Sequence, residues 1–253
     1  AEAERVAMGV GSQRIMFNDP EAAASFDLRD AAPTAPLFAN IGAVQLNYGV
    51  TMDQIRSAMD VLKADALILH LNPLQEAVQP EGDTDFSNLC KSLGELVQNV
   101  DSPIIIKEVG AGISREDAEL LIQAGAKIID VAGAGGTSWS RIEAARCDDP
   151  ALGELFQDWG IPAPQALRDL ADLDITLIAS GGIRNGIDMA KAMVLGASLC
   201  GMARPLLTPA MESVDAVRAV IQRIKKEFST AMFLLGTENV EELQGNTGLL
   251  VSE

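Results

Sequence analysis

The chain has 253 residues, 48% of them apolar, and a formal net charge of −17, which allows a large core and repels phosphate backbones, so nucleic-acid binding is excluded. No apolar run approaches the roughly 20 residues a membrane helix needs. Three widely spaced cysteines fit reduced thiols in a cytoplasm, and the opening AEAERVAMG, polar and without an initiator Met, looks like a cut edge rather than a signal peptide.

In chain order, strand-like runs fall at VAMGV (6–10), LFANI (37–41), ALILHL (66–71), IIIKEV (104–109), IIDVA (128–132), TLIAS (176–180) and LCGMA (199–203). They are short and continuously apolar for much of their length, the mark of parallel strands covered on both faces. Helical patterns separate them. Thr51 with Gln54 and Ser114 with Asp117 make capping boxes, and Gly125 closes the second of these helices. Asn72-Pro73-Leu74-Gln75 is another helix start, with Asn72 as N-cap, Pro73 in first position and Gln75 reaching back. Pro80 stops that helix early. No linker or charge block divides the chain, so residues 1–253 are read as one domain.

Seven βα units fit a (β/α)8 TIM barrel or a doubly wound sheet. Every strand here ends in polar or Gly-rich sequence (GSQR, NIG, HLN, KEVG, AGAGGTSW, SGGIR, ARP). Barrels place loops from all strands around one centre, whereas doubly wound sheets concentrate them at one switch point. The reading is therefore a barrel whose first strand lies upstream of Ala1 or is missing.

ASGGIRNG (179–186) opens a helix, and GMARP (201–205) follows the next strand with Arg204. Adjacent glycines at a helix start let backbone N–H groups approach an anion, and consecutive late turns of this kind suit one phosphate. A plain tight turn is the alternative. No G-x-G-x-x-G follows a strand, so a dinucleotide does not fit. AGAGGTSW (132–139) could meet a flat ligand closely, with Thr137 and Ser138 as donors, or be a flexible loop. Lys107 inside IIIKEV is either a cation for a ligand that gathers negative charge or the partner of Glu108. His70, the sole histidine, is a satisfied core residue or part of a site. Glu76 could hold Mg²⁺, which needs only one or two carboxylates, and Gln75 beside it is an uncharged positioning donor.

MGVGSQR (8–14), FANIGAVQL (38–46), HLNPLQEAVQPEGDTDF (70–86), KEVGAGISRE (107–116), DVAGAGGTSW (130–139), DWGIPA (158–163), ASGGIR (179–184) and GMARP (201–205) together resemble type 2 isopentenyl diphosphate isomerase. The resemblance runs in order along essentially the whole chain. It implies a (β/α)8 FMN-binding barrel that interconverts isopentenyl and dimethylallyl diphosphate. The reaction would be a 1,3-proton shift without net redox change, with reduced FMN, generated by NAD(P)H, as acid and base, and Mg²⁺ fixing the diphosphate.

Carried over by residue, the resemblance puts Gln75 at the reacting carbons, with His70 and Asn72 lining the same catalytic pocket, and Glu76 on the Mg²⁺. Ser12, Gln13 and Arg14 face the diphosphate, Ser12 also serving the cofactor. Asn40, Lys107 and Thr137 contact the flavin ring and ribityl chain. Gly182, Ile183, Arg184, Ala203 and Arg204 bind the FMN phosphate. It also implies a cytoplasmic homo-oligomer with a small-molecule diphosphate substrate. Two departures stand out: Ala132 replaces a frequent Ser, and the family's amino-terminal Arg-Lys pair and Met-Thr-Gly-Gly loop have no counterpart, so the barrel is expected to be amino-terminally incomplete. The rival readings are an FMN-dependent oxidoreductase of the hydroxy-acid oxidase type and an inactive flavin-binding fragment.

Overall fold

In the computed structural model, which describes residues 1–251, seven strands lie where the apolar runs predict them, most trimmed at their ends. They are β1 (Met8–Gly9), β2 (Leu37–Gly42), β3 (Ala66–Leu71), β4 (Ile104–Glu108), β5 (Ile128–Asp130), β6 (Thr176–Ala179) and β7 (Leu199–Cys200). All seven belong to one sheet in sequence order. The registers of β1 on β2, β2 on β3 and β6 on β7 are parallel. Unbroken sequential order is that of a (β/α)8 barrel; a doubly wound sheet reverses direction at its switch point.

The helices between and after them are α1 (Ile15–Asn18), α2 (Met52–Leu62), α3 (Pro73–Val78), α4 (Leu89–Asn99), α5 (Arg115–Gln123), α6 (Trp139–Ala144) and α7 (Ala151–Leu155). They continue as α8 (Ala163–Leu170), α9 (Gly186–Val194), α10 (Arg204–Glu212), α11 (Val214–Leu235) and α12 (Val240–Leu243). Among the described residues no helix is long and apolar enough to cross a membrane. The chain divides into two compact units: Ala1–Lys107, Glu119–Ile128 and Trp139–Gln157 form one, and Glu108–Ala118, Ile129–Ser138 and the residues from Asp158 on form the other.

In the first unit the predicted capping box forms: Gln54 N–H donates to Thr51 Oγ1 at 3.3 Å, and Thr51 N–H to Gln54 Oε1 at 2.9 Å. It starts α2, whose Ile55, Ala58 and Leu62 are wholly buried at helical spacing. The helix packs on β2. On β2 and β3 the residues Leu37, Ala39, Ile41, Leu67 and Leu69 are equally inaccessible. Each large side chain so buried contributes about 1.5–3 kcal/mol. Register pairs Ala39 with Leu67 and Ile41 with Leu69, so the period of two sends Asn40, Gly42, Ile68 and His70 to the opposite face. That alternation is what places the polar groups of the site.

The Asn72 cap that the sequence predicts does not form. Pro73 does open α3, but Asn72 makes no side-chain cap. Its Nδ2 donates instead to Glu76 Oε1 at 2.7 Å and Gln75 Oε1 at 3.3 Å. A carboxylate is the stronger acceptor, and the amide turns to it.

In the second unit, Asn185 Oδ1 caps α9 by accepting the Asp188 N–H at 2.9 Å. The Ala190, Met193 and Val194 face of α9 packs with Leu243, Phe228 and Met232. Ser114 Oγ accepts the Asp117 N–H at 3.1 Å, starting α5 as predicted.

Candidate functional site

In the first unit, the polar face of β2 and β3 gathers one chain of hydrogen bonds. Asn40 Nδ2 donates to the Val10 carbonyl at 2.9 Å, and Asn40 Oδ1 lies 2.8 Å from His70 Nδ1. Gln13, with no accessible surface, holds the Asn40 backbone on both sides. Its Oε1 accepts the Asn40 N–H at 3.1 Å, and its own N–H donates to the Asn40 carbonyl at 2.8 Å. The Gln13 amide N–H goes to Ala58 O at 2.8 Å. Gln13 therefore braces Asn40 from inside the protein, while its neighbours Ser12 and Arg14 are exposed.

Burial, and next the Lys107 charge, push the His70 imidazole down to about 4. The folded protein thus binds fewer protons at this ring than the unfolded chain does between about pH 6.5 and pH 4. The resulting stability is fully present above that window and is lost as the pH falls through it. Chemical denaturation should show it: from neutral pH to about pH 5 the parent loses up to about 2 kcal/mol more than a His70→Asn variant. Equal losses would contradict the depressed value.

The stretch after β3 builds the second part of this site. Glu76, only 6% exposed, accepts from Asn72 Nδ2 through Oε1, and through Oε2 from Gln79 Nε2 at 2.6 Å and the Asp83 N–H at 2.7 Å. It thereby folds residues 79–83 back over α3. Gly82 is needed for this approach, because a Cβ there would lie 1.7 Å from the Glu76 carbonyl oxygen. Asn72 Oδ1 is buried and has no hydrogen-bond partner. Asp83 reaches outward: its Oδ2 pairs with Arg14 Nη1 at 2.9 Å and accepts from Gln45 Nε2 at 2.9 Å.

Gln75 faces another way. Its Nε2 donates to Glu143 Oε1 at 2.8 Å, and Glu143, 3% exposed, also pairs with Arg146 at 3.1 Å. Sequence reading missed Glu143. The only signal was its spacing from Ser140 and Ala144, which puts an acid on the buried face of α6.

The glycine-rich loops lie in the second unit, with their backbones against one another. A Cβ on Gly181 would fall 2.0 Å from Gly133 O, one on Gly136 2.8 Å from Gly182 N, and one on Gly182 2.8 Å from Gly135 O. Arg184 joins the same loops, donating to Gly135 O at 2.7 Å and Gly182 O at 3.3 Å. Beneath them the buried Asp130 accepts from Ser180 Oγ at 2.7 Å and from the Ala132 N–H at 3.1 Å. Ala132 sits at φ 36°, an uncommon conformation for a residue with a Cβ. Burial, and then the Asp130 charge, push the Cys200 thiol up to about 12, so it is no nucleophile.

Glu108 is turned to its own loop. Its Oε2 accepts the N–H groups of Val109, Gly110, Ala111 and Gly112. Burial outweighs these bonds and raises its carboxyl above the ordinary range, and Oε1 is buried with no hydrogen-bond partner. Lys107, next to it on β4, is half-buried. Thr137 is exposed, with its carbonyl oxygen 2.6 Å from where a Cβ on Gly110 would be. Ile183 is buried, and Ala203 and Arg204 are exposed at the start of α10.

A family model described as FMN-dependent dehydrogenase matches residues 71–249. An isopentenyl-diphosphate delta-isomerase of Paracoccus zeaxanthinifaciens is 55% identical over 99% of this chain and 74% of its own length. The chain belongs to the FMN-dependent, type 2 isopentenyl-diphosphate delta-isomerase family. A second isopentenyl-diphosphate delta-isomerase, of Hydrogenovibrio crunogenus, is 52% identical over 99% of this chain and 75% of its own length.

Solved structures agree on the fold. A mandelate oxidase superposes with a TM-score of 0.62 at 21% identity, over 95% of this chain and 78% of that one. A lactate oxidase of Pediococcus acidilactici gives 0.64 at 18%, over 95% and 74%. The type 2 isomerase chain therefore has a (β/α)8-barrel fold, of which the described residues supply seven strands. The oxidase likeness is one of fold; the relatives of high identity are named isomerases.

Proposed function

We propose that this protein interconverts isopentenyl and dimethylallyl diphosphate by a 1,3-proton shift, using reduced FMN and Mg²⁺. The observation that carries the reading is the division of labour at Gln75 and Glu76. Two adjacent side chains of one short helix share the Asn72 amide and otherwise take different partners, Gln75 holding Glu143 and Glu76 holding Gln79 and the Asp83 N–H. A mere helix start would need neither.

The donor set fits Mg²⁺ at Glu76. Oε1 carries one hydrogen bond and keeps a lone pair, and the unpartnered Asn72 Oδ1 beside it suits a hydrated cation. Among the described residues no group of three or more His, Cys, Asp and Glu could hold a metal, and a single carboxylate plus substrate phosphates does not require one. The glycines let the two loops that would cradle a phosphate pack backbone on backbone, since no Cβ intrudes between them. Gly182, Ile183, Arg184, Ala203 and Arg204 take the FMN phosphate, and Asn40, Lys107, Thr137 and Ser12 serve the rest of the cofactor. When bound and reduced, FMN supplies the acid and base for an allylic proton shift, a task for which no side chain of the motifs is suited.

The chain's own residues bind and orient. Lys107 gives a cation to a ring that carries negative charge on reduction. Gln75, held by Glu143, positions a neutral amide at the alkene, with His70 and Asn72 along the same pocket. Ser12 and Arg14 hold the diphosphate, and Gln13 keeps this segment and Asn40 in register. Residues 1–253 act as one FMN-binding domain, in a cytoplasmic homo-oligomer reduced by NAD(P)H.

Purified protein with FMN, Mg²⁺ and a trace of NADPH should convert isopentenyl diphosphate with no reductant consumed per turnover. Consumption of one NADPH per product would mean an oxidoreductase.

Arg14 gives a separate test. Diphosphate must compete with Asp83 for its guanidinium. Asp83→Asn keeps an oxygen for Gln45 but removes the charge, so KM for the diphosphate should fall. Stability should change by less than about 1 kcal/mol, because the Arg14 side of the ion pair is half exposed and the retained oxygen can still accept from Gln45. An unchanged or higher KM would take Arg14 out of the diphosphate site.

A further inference from the structure

His70 is the one histidine of the chain, and its surroundings decide which ring nitrogen carries the proton. The Val10 carbonyl can only accept, so the Asn40 amide turns its NH₂ toward it, at 2.9 Å. Asn40 Oδ1 then faces His70 Nδ1 at 2.8 Å. An amide oxygen also only accepts, so the hydrogen between them belongs to Nδ1. A flipped amide would set two oxygens against each other at Val10, and Gln13 pins the Asn40 backbone by both its N–H and its carbonyl.

We infer that Asn40 is a positioning residue that locks His70 as the Nδ1–H tautomer, so that Nε2 meets the bound molecules as a bare hydrogen-bond acceptor. The inference rests on the isomerase reading for its consequence, though not for its geometry. The depressed imidazole pKa agrees, since a neutral ring has one donor and one acceptor. Nε2 so presented cannot donate to a diphosphate oxygen and cannot act as an acid. It takes a hydrogen bond from an N–H group, such as an ammonium or a reduced flavin ring.

Gly42 supplies an independent observation. Its backbone, φ −67° and ψ 126°, is open to any residue, so no conformational demand explains a glycine there. Space does. A Cβ at position 42 would lie 3.2 Å from His70 Nε2 and 3.4 Å from Cε1. The glycine keeps the acceptor edge of the ring clear.

The test is ¹⁵N NMR of the holoenzyme labelled on histidine, where one ring gives two nitrogen resonances. At neutral pH Nδ1 should carry the hydrogen and Nε2 none. An Nε2–H form or an imidazolium would overturn the inference. In Asn40→Leu the ring should move to a mixture or to Nε2–H, and kcat should fall about 10- to 100-fold, the range for losing a residue that orients a functional histidine, with KM little changed. A lower kcat with the tautomer unchanged would also overturn it. Gly42→Ala should stay folded, keep the Nδ1–H form and lose turnover; parental turnover would show that Nε2 meets nothing. The tautomer is read without any isomerase assay, so failure of the activity and failure of the tautomer are separate results.

Discussion

Glu76→Gln is expected to be the most damaging single exchange in the chain, reducing turnover by more than about 100-fold at ordinary Mg²⁺ and raising the Mg²⁺ needed for half-maximal rate. Two effects combine. A neutral amide is a poor ligand for a hard cation. Three donors also converge on the Glu76 carboxylate, from Asn72, Gln79 and the Asp83 backbone. A glutamine there has one oxygen and one NH₂, so at least one donor meets another donor. Such a buried unmet group costs about 1–3 kcal/mol, and the 79–83 segment should loosen. Gln75→Ala should differ in kind. It removes the amide held by Glu143, leaves Mg²⁺ dependence and FMN affinity at parental values, and lowers kcat by about 100-fold through lost positioning. Small and equal losses in both variants, with parental Mg²⁺ dependence, would reduce the stretch to a structural role.

Gly182→Val should cost the cofactor rather than the fold. Gly182 has φ 108°, where a β-branched residue is strained, and its added Cβ would fall 2.8 Å from Gly135 O. Strain of this kind amounts to about 1–3 kcal/mol, equivalent to roughly fivefold to 150-fold in affinity. FMN affinity should therefore fall by that factor, while riboflavin, without the phosphate, should lose much less. Far-ultraviolet circular dichroism should remain parental. If FMN binds as tightly as before, or if riboflavin suffers equally, the phosphate lies away from these loops.

Much of the fold was legible because apolar runs bounded by turns carry their own limits. ALILHL matches β3 residue for residue, and the Thr51 box caps α2. VAMGV shrank to Met8–Gly9, and IIDVA to Ile128–Asp130, although Val10 N–H still donates to Phe38 O and Val131 N–H to Ile178 O, each at 3.1 Å. The candidate site was less legible wherever a long-range partner decides a side chain. Asn72 looked like a cap, but a buried carboxylate four residues on took its amide. Gln13 sits in a motif that reads as diphosphate-facing, and its side chain is wholly inside, spent on Ala58 and Asn40. Glu143 is 68 residues from Gln75, and no local pattern joins them. Periodicity says which face a residue is on; it does not say what that face will meet.

The most direct measurement of the central claim is turnover of isopentenyl diphosphate in D₂O with reduced FMN and Mg²⁺, followed by mass spectrometry of the dimethylallyl product. A cofactor acid–base acting within the proposed site places one solvent deuteron in the newly formed methyl group per turnover and leaves the flavin reduced. Product formed without deuterium, or flavin oxidised in step with product, would contradict it.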